Sequence, residues 1–86
     1  MPYGSSTAED RLRSMARARI ADGSLPLIFP PPFMDAEHGS GLVCHLCERA
    51  IGRYRVQYDV ADSRHGRALR FHIECYMAWQ LECVQL

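Results

Sequence analysis

Four residues in the C-terminal half have the types and spacing of a metal site. Cys44 and Cys47 are two residues apart, and after an interval of twenty-four residues His72 and Cys75 repeat that spacing. Structural zinc takes four ligands in a tetrahedron, mostly thiolates and imidazoles, supplied as local pairs that the fold brings together. A CxxC pair holds one ion from a tight turn, and Gly39 and Gly41 just upstream ease the bend. An HxxC pair placed where a strand gives way to a helix sets the ion at the helix N-terminus, where the dipole favours thiolate charge. The sequence therefore predicts Zn2+ on Cys44, Cys47, His72 and Cys75.

Other uses of four cysteines are two disulfides in an oxidising compartment, or a dithiol redox pair at Cys44 and Cys47. Residues 1–25 contain Glu9, Asp10 and four arginines with no long apolar run. That is unlike a secretory leader, and no stretch has the length of a membrane span. The expectation is a cytoplasmic chain with reduced thiols and no membrane partner. Cys83 follows Cys75 by eight residues, more than two helical turns, and cannot reach the same ion from a continuous helix; it is expected in the core. His38, His45 and His65 are expected outside the ligand set.

The elements that must position these ligands follow from periodicity. Tyr54, Val56, Tyr58 and Val60 alternate with Arg53, Arg55, Gln57 and Asp59, the pattern of a half-buried strand. Residues 61–66 have turn chemistry, and Arg67 to His72 supplies a second strand that returns His72 toward the CxxC turn. Ile73 to Cys83 reads as the closing helix, apolar along Ile73, Met77 and Leu81 and again along Tyr76, Trp79 and Cys83.

Upstream, Ser6-Thr7-Ala8-Glu9 is a capping-box pattern, and Leu12, Met15, Ala16 and Ile20 form an apolar stripe ended by Gly23. A helix over 7–22 follows, after a frayed terminus over Met1–Ser5. Its arginine face, with Arg13 and Arg17 one turn apart, reads as solvated. The run Leu-Pro-Leu-Ile-Phe-Pro-Pro-Pro-Phe over 25–33 excludes helix and central strand, yet is too apolar for an idle linker. It is expected to lie across the zinc module as a strap. Residues 34–41 read as a polar, mobile loop.

Turn, hairpin and helix in that order describe a treble clef. The segment CHLCERAI…LRFHIECYMAW resembles the zinc fingers of the LIM and poly(ADP-ribose) polymerase type in its CxxC, its hairpin, and an aromatic-HxxC-aromatic ending followed by Trp. Phe71, His72, Cys75, Tyr76 and Trp79 stand at the matching positions. The chain is also similar to small bacterial zinc-finger proteins. The resemblance covers roughly the C-terminal half and implies the metal and the fold. There is one such module where a LIM domain has two, and the extra N-terminal elements and strongly basic face of the polymerase fingers are missing.

The fold class expected is thus α+β: a zinc-stapled treble clef over 43–86, a proline-rich strap and loop over 25–42, and an added N-terminal helix over 1–24, together one domain. At 86 residues a core alone is marginal, and a metal staple fits that size. Ten arginines balance ten acids, with no lysine; nucleic-acid domains usually carry a net positive charge or a basic stripe. The function expected is a non-catalytic zinc module that binds a protein partner or itself. Nucleic-acid binding through Arg53, Arg55, Arg64, Arg67 and Arg70 of the hairpin together with the arginines of the first helix is the alternative, and Tyr76 and Trp79 are further candidate contacts for nucleic acid or a partner. Four protein ligands leave no open position on the metal, so neither an enzyme nor a small-molecule substrate is expected.

Overall fold

The computed structural model describes residues 7–31, 33–62, 64 and 66–85. It is an α+β fold in the order α1 (Thr7–Ala21), β1 (Met34–His38), β2 (Val56–Asp62), β3 (Arg67–His72) and α2 (Ile73–Gln85), with one antiparallel sheet ordered β1-β2-β3. The expected cap at Ser6, the Met1–Ser5 terminus and His65 of the hairpin turn lie outside the described residues.

Helix α1 buries the stripe that its spacing predicts: Ala16 is fully covered, and Leu12, Met15 and Ile20 pack against the core. Gly23 stops it in the left-handed region, at φ 86°, and its amide donates to the Ile20 carbonyl at 3.2 Å. The arginine face is only partly solvated: Arg17 stays 58% exposed, yet Arg13 and Arg17 both hold an acid. Arg13 Nε donates to Glu82 Oε2 at 2.8 Å, and Arg17 Nε to Glu82 Oε1 at 3.0 Å. The acid comes from α2, sixty-five residues beyond Arg17, so local charge patterning could not show it.

The proline run is a strap held by its carbonyls. Proline lacks an N–H but keeps its acceptor, and Pro26 O accepts from Trp79 Nε1 at 2.9 Å while Ile28 O accepts from Gln80 Nε2 at 2.8 Å. Leu25 is buried and Ile28 half-buried, whereas Leu27, Phe29 and Phe33 face solvent.

The segment expected as a loop contains a strand. β1 pairs with β2 from Met34↔Val60 to His38↔Val56, although all five of its residues are exposed. Backbone pairing makes this strand, not burial, and Asp35 and Glu37 give its open edge the charge that discourages further pairing. Gly39 then crosses the CxxC loop so closely that an added Cβ would collide with the Gly52 carbonyl.

In the hairpin, Leu69 and Phe71 of β3 are buried as expected. β2 departs from simple alternation. It starts at Val56, Tyr54 is 89% exposed, and Gln57 is buried where the pattern puts it outside. The Gln57 amide is satisfied: Oε1 accepts from Ser40 N at 2.9 Å and Ser40 Oγ at 2.8 Å, and Nε2 donates to Asp59 Oδ1 at 2.9 Å.

Helix α2 turns Cys75, Ala78, Trp79 and Cys83 inward and leaves Ile73, Met77, Leu81 and Val84 exposed. Trp79 stacks on Phe71 with ring centroids 4.9 Å apart, and Tyr76 meets Trp79 edge-on at 6.0 Å. The aromatic positions that carry the family resemblance therefore form the contact between helix and hairpin. Trp79 is fully buried and its N–H is used by the strap, so it is not a partner contact; Tyr76, half-buried in the same cluster, is held there too. Trp79→Ala is expected to cost about 3–5 kcal/mol, the usual price of emptying a large aromatic site. Urea titration of the metal-loaded protein measures it, and a loss below about 1 kcal/mol would show that the helix does not depend on this contact.

Candidate metal centre

Two local structures deliver the ligands. Gly41, at φ 83°, turns the chain into a short bridge between Val43 and Ala50, inside which residues 45–47 form a turn. The Cys44 amide donates to Arg49 O at 2.9 Å and the Glu48 amide to Cys44 O at 3.0 Å, closing the loop around both cysteines. Glu48 adopts φ 64°, a left-handed conformation unusual for a side-chain-bearing residue. His72 is the last residue of β3, and Cys75 lies in the first turn of α2.

Cys44, Cys47, His72 and Cys75 each bring one ligand atom to a cluster in which all four atoms lie within 4.8 Å of one another. His72 Nδ1 is 3.4 Å from Cys47 Sγ and 3.8 Å from Cys75 Sγ. A tetrahedron with metal–sulfur bonds of ~2.3 Å and metal–nitrogen bonds of ~2.0 Å has edges of roughly 3.5–3.8 Å. The four residues predicted from spacing are thus positioned to hold one metal ion.

Two contacts that the spacing does not reveal orient the ligands. His72 Nε2 lies 3.2 Å from the Ala50 carbonyl. A carbonyl only accepts, so Nε2 carries the proton and Nδ1 presents its lone pair to the cluster. The Leu46 amide donates to Cys44 Sγ at 3.3 Å and favours the thiolate. Among the protein groups alone, a hydrogen bond from the Cys75 thiol brings Cys44 down to about 4, with help from the amides of Cys47, His72 and Leu46. The same hydrogen bond, with burial, pushes Cys75 far above the ordinary thiol range. A cation held by Cys44 and Cys75 would take the place of the proton they share.

Neighbouring residues expected outside the ligand set stay outside it. Cys83 is buried, 3.8 Å from the Pro26 carbonyl. His45 is half-buried beside β3. Its Nδ1 accepts the Arg70 amide at 3.0 Å, while its own amide donates to Arg70 O at 2.8 Å. Burial, and then the charge of Arg70, lowers its pKa.

The hairpin arginines proposed from sequence as nucleic-acid contacts lie at both ends of the hairpin and are engaged within the chain. Arg55 Nη2 holds Glu74 at 2.7 Å, Arg70 Nε donates to Val43 O at 3.0 Å, and Arg53 lies 5.2 Å over the Tyr54 ring. At the opposite end of the hairpin, Arg64 and Arg67 pair with buried Asp62 at 3.1 and 3.5 Å and reach the carbonyls of Gly23 and Ser24. These guanidiniums tie elements of the fold together. Among the described residues no helix is long and apolar enough to cross a membrane. No family model, curated protein or solved structure matches the chain.

Proposed function

We propose that the chain is a non-catalytic structural zinc protein of treble-clef form, whose role is to hold a helix for contact with a protein partner. The observation that carries the zinc reading is the convergence of three thiols and one imidazole within 4.8 Å. Sulfur-rich tetrahedral sets favour zinc over harder cations, and a cytoplasmic location would keep the thiols reduced. Four protein ligands fill the coordination sphere, which supports a structural rather than a catalytic ion.

The partner reading rests on α2. Ile73, Met77, Leu81 and Val84 recur at helical spacing, and all four are exposed. The helix begins at the metal and is anchored by Trp79, so the stripe is rigidly presented; rigid apolar anchors make inexpensive binding surfaces. A photo-crosslinking amino acid at position 77 tests this in cells. The expected result is a discrete protein adduct that disappears when Leu81→Glu is added, with zinc content unchanged; its mass separates another protein from a second copy of the chain. No adduct, or one indifferent to Leu81→Glu, would contradict the partner reading and leave the zinc reading standing.

A further inference from the structure

A cleft of about 540 Å³ opens beside the metal centre, lined by Leu12 and Met15 of α1. Cys47, His72 and Cys75 form one wall of it. Three guanidiniums line the remainder: Arg11 from α1, Arg49 from the CxxC loop and Arg55 from the turn before β2.

Most of the other arginines are engaged within the chain, Arg53 only with the neighbouring Tyr54. Arg13, Arg17, Arg19, Arg64 and Arg67 are paired with Glu82, Glu48 or Asp62, and Arg70 holds a carbonyl. Arg11 and Arg49 are exposed, and among the described residues their side chains have no acid or carbonyl partner. Arg55 gives only Nη2 to Glu74, at 2.7 and 2.8 Å from its two oxygens, and among the described residues its Nε and Nη1 have no acceptor. Among the described residues Glu74 is the one acid lining the cleft. A zinc ion with three thiolates and a neutral imidazole contributes one further negative charge, so the three guanidiniums leave a net positive charge of one.

We propose that this cleft binds a small oxyanion, the carboxylate or phosphate group of a ligand, between Arg11, Arg49 and Arg55. Guanidinium groups suit this chemistry because their planar N–H donors match pairs of oxyanion oxygens. Leu12 and Met15 offer apolar cover to the part of the ligand that carries the anion. The site lies outside the metal's coordination sphere and goes beyond the structural role proposed for the ion.

The test uses the full zinc-loaded chain and follows arginine Nε–H resonances during titration with inorganic phosphate and, separately, with acetate. Saturable shifts at Arg11, Arg49 and Arg55 but not at Arg53 are expected. Affinity should fall about tenfold in Arg11→Ala and in Arg49→Ala, the size of one lost charge-assisted hydrogen bond. The anion that saturates at the lower concentration assigns the phosphate or the carboxylate source. Non-saturating shifts, or equal affinity in both variants, would overturn the proposal. So would a loss of zinc affinity in Arg49→Ala with anion binding unchanged, which would show that these arginines serve only to neutralise the thiolates. Zinc content measured on the same samples separates failure of this site from failure of the metal reading.

Discussion

Cys75→Ser is expected to abolish metal binding and, with it, the fold of the CxxC loop, hairpin and α2. Cys75 joins β3, α2 and the loop at one point: its thiol lies 3.8 Å from His72 Nδ1 and within 4.8 Å of the Cys44 and Cys47 sulfurs. Binding of structural zinc contributes roughly 10–16 kcal/mol in finger peptides, as much as the whole net stability of about 5–15 kcal/mol typical of a domain. A serine hydroxyl at this position is a poor zinc ligand at neutral pH, and three ligands on an opened site cannot recover that free energy. Zinc quantification and far-ultraviolet circular dichroism read the outcome. Cys83→Ser is the control, expected to keep its metal because Cys83 lies against the strap and not in the cluster. A folded, zinc-bearing Cys75→Ser protein would remove Cys75 from the ligand set.

The second large effect is expected at the contact between α1 and α2. Glu82 is 2% exposed and is held by Arg13 and Arg17. Removing both arginines leaves a buried carboxylate without a counter-charge, which costs about 3–5 kcal/mol. Arg13→Ala/Arg17→Ala should lose that much in urea titration, and adding Glu82→Leu should restore most of it, since a buried pair replaced by apolar packing is often neutral. A double variant within about 1 kcal/mol of the native chain would mean that the carboxylate is solvated.

The same contact sets an acid limit. The hydrogen bond from Arg17, joined by that from Arg13, outweighs burial and holds Glu82 below its ordinary value of 4.5. A carboxyl depressed in the folded state contributes its full stability above the unfolded value and loses it as pH falls through the folded one. Asp62, lowered from 3.8 chiefly by its hydrogen bond with Arg64, acts in the same direction. Stability should therefore decline below about pH 4.5, and less steeply in Glu82→Gln. A decline of equal slope in that variant would show that the loss comes from elsewhere.

The ligand set was legible because each pair is local: two residues separate Cys44 from Cys47 and His72 from Cys75, and the predicted hairpin suffices to join them. Helix α1 and β3 were legible for the same reason, since their apolar residues repeat within one element. What escaped depends on partners distant in sequence. β1 carries no alternation because it is exposed throughout, and only its backbone register with β2 makes it a strand. Gln57 looks solvent-facing until Ser40, seventeen residues earlier, meets its amide. The arginines of α1 look like a free basic face until Glu82 arrives from the far end of the chain. The Ala50 carbonyl behind His72 has no sequence signature, because any residue supplies one.

Whether zinc holds the fold together is read from the metal content of the untagged chain by mass spectrometry under native conditions, repeated after chelation with circular dichroism recorded in parallel. One zinc per chain is expected, with loss of helix and sheet signal as the metal is withdrawn. A chain that carries no metal, or that keeps its structure when zinc is removed, would contradict this role for the metal.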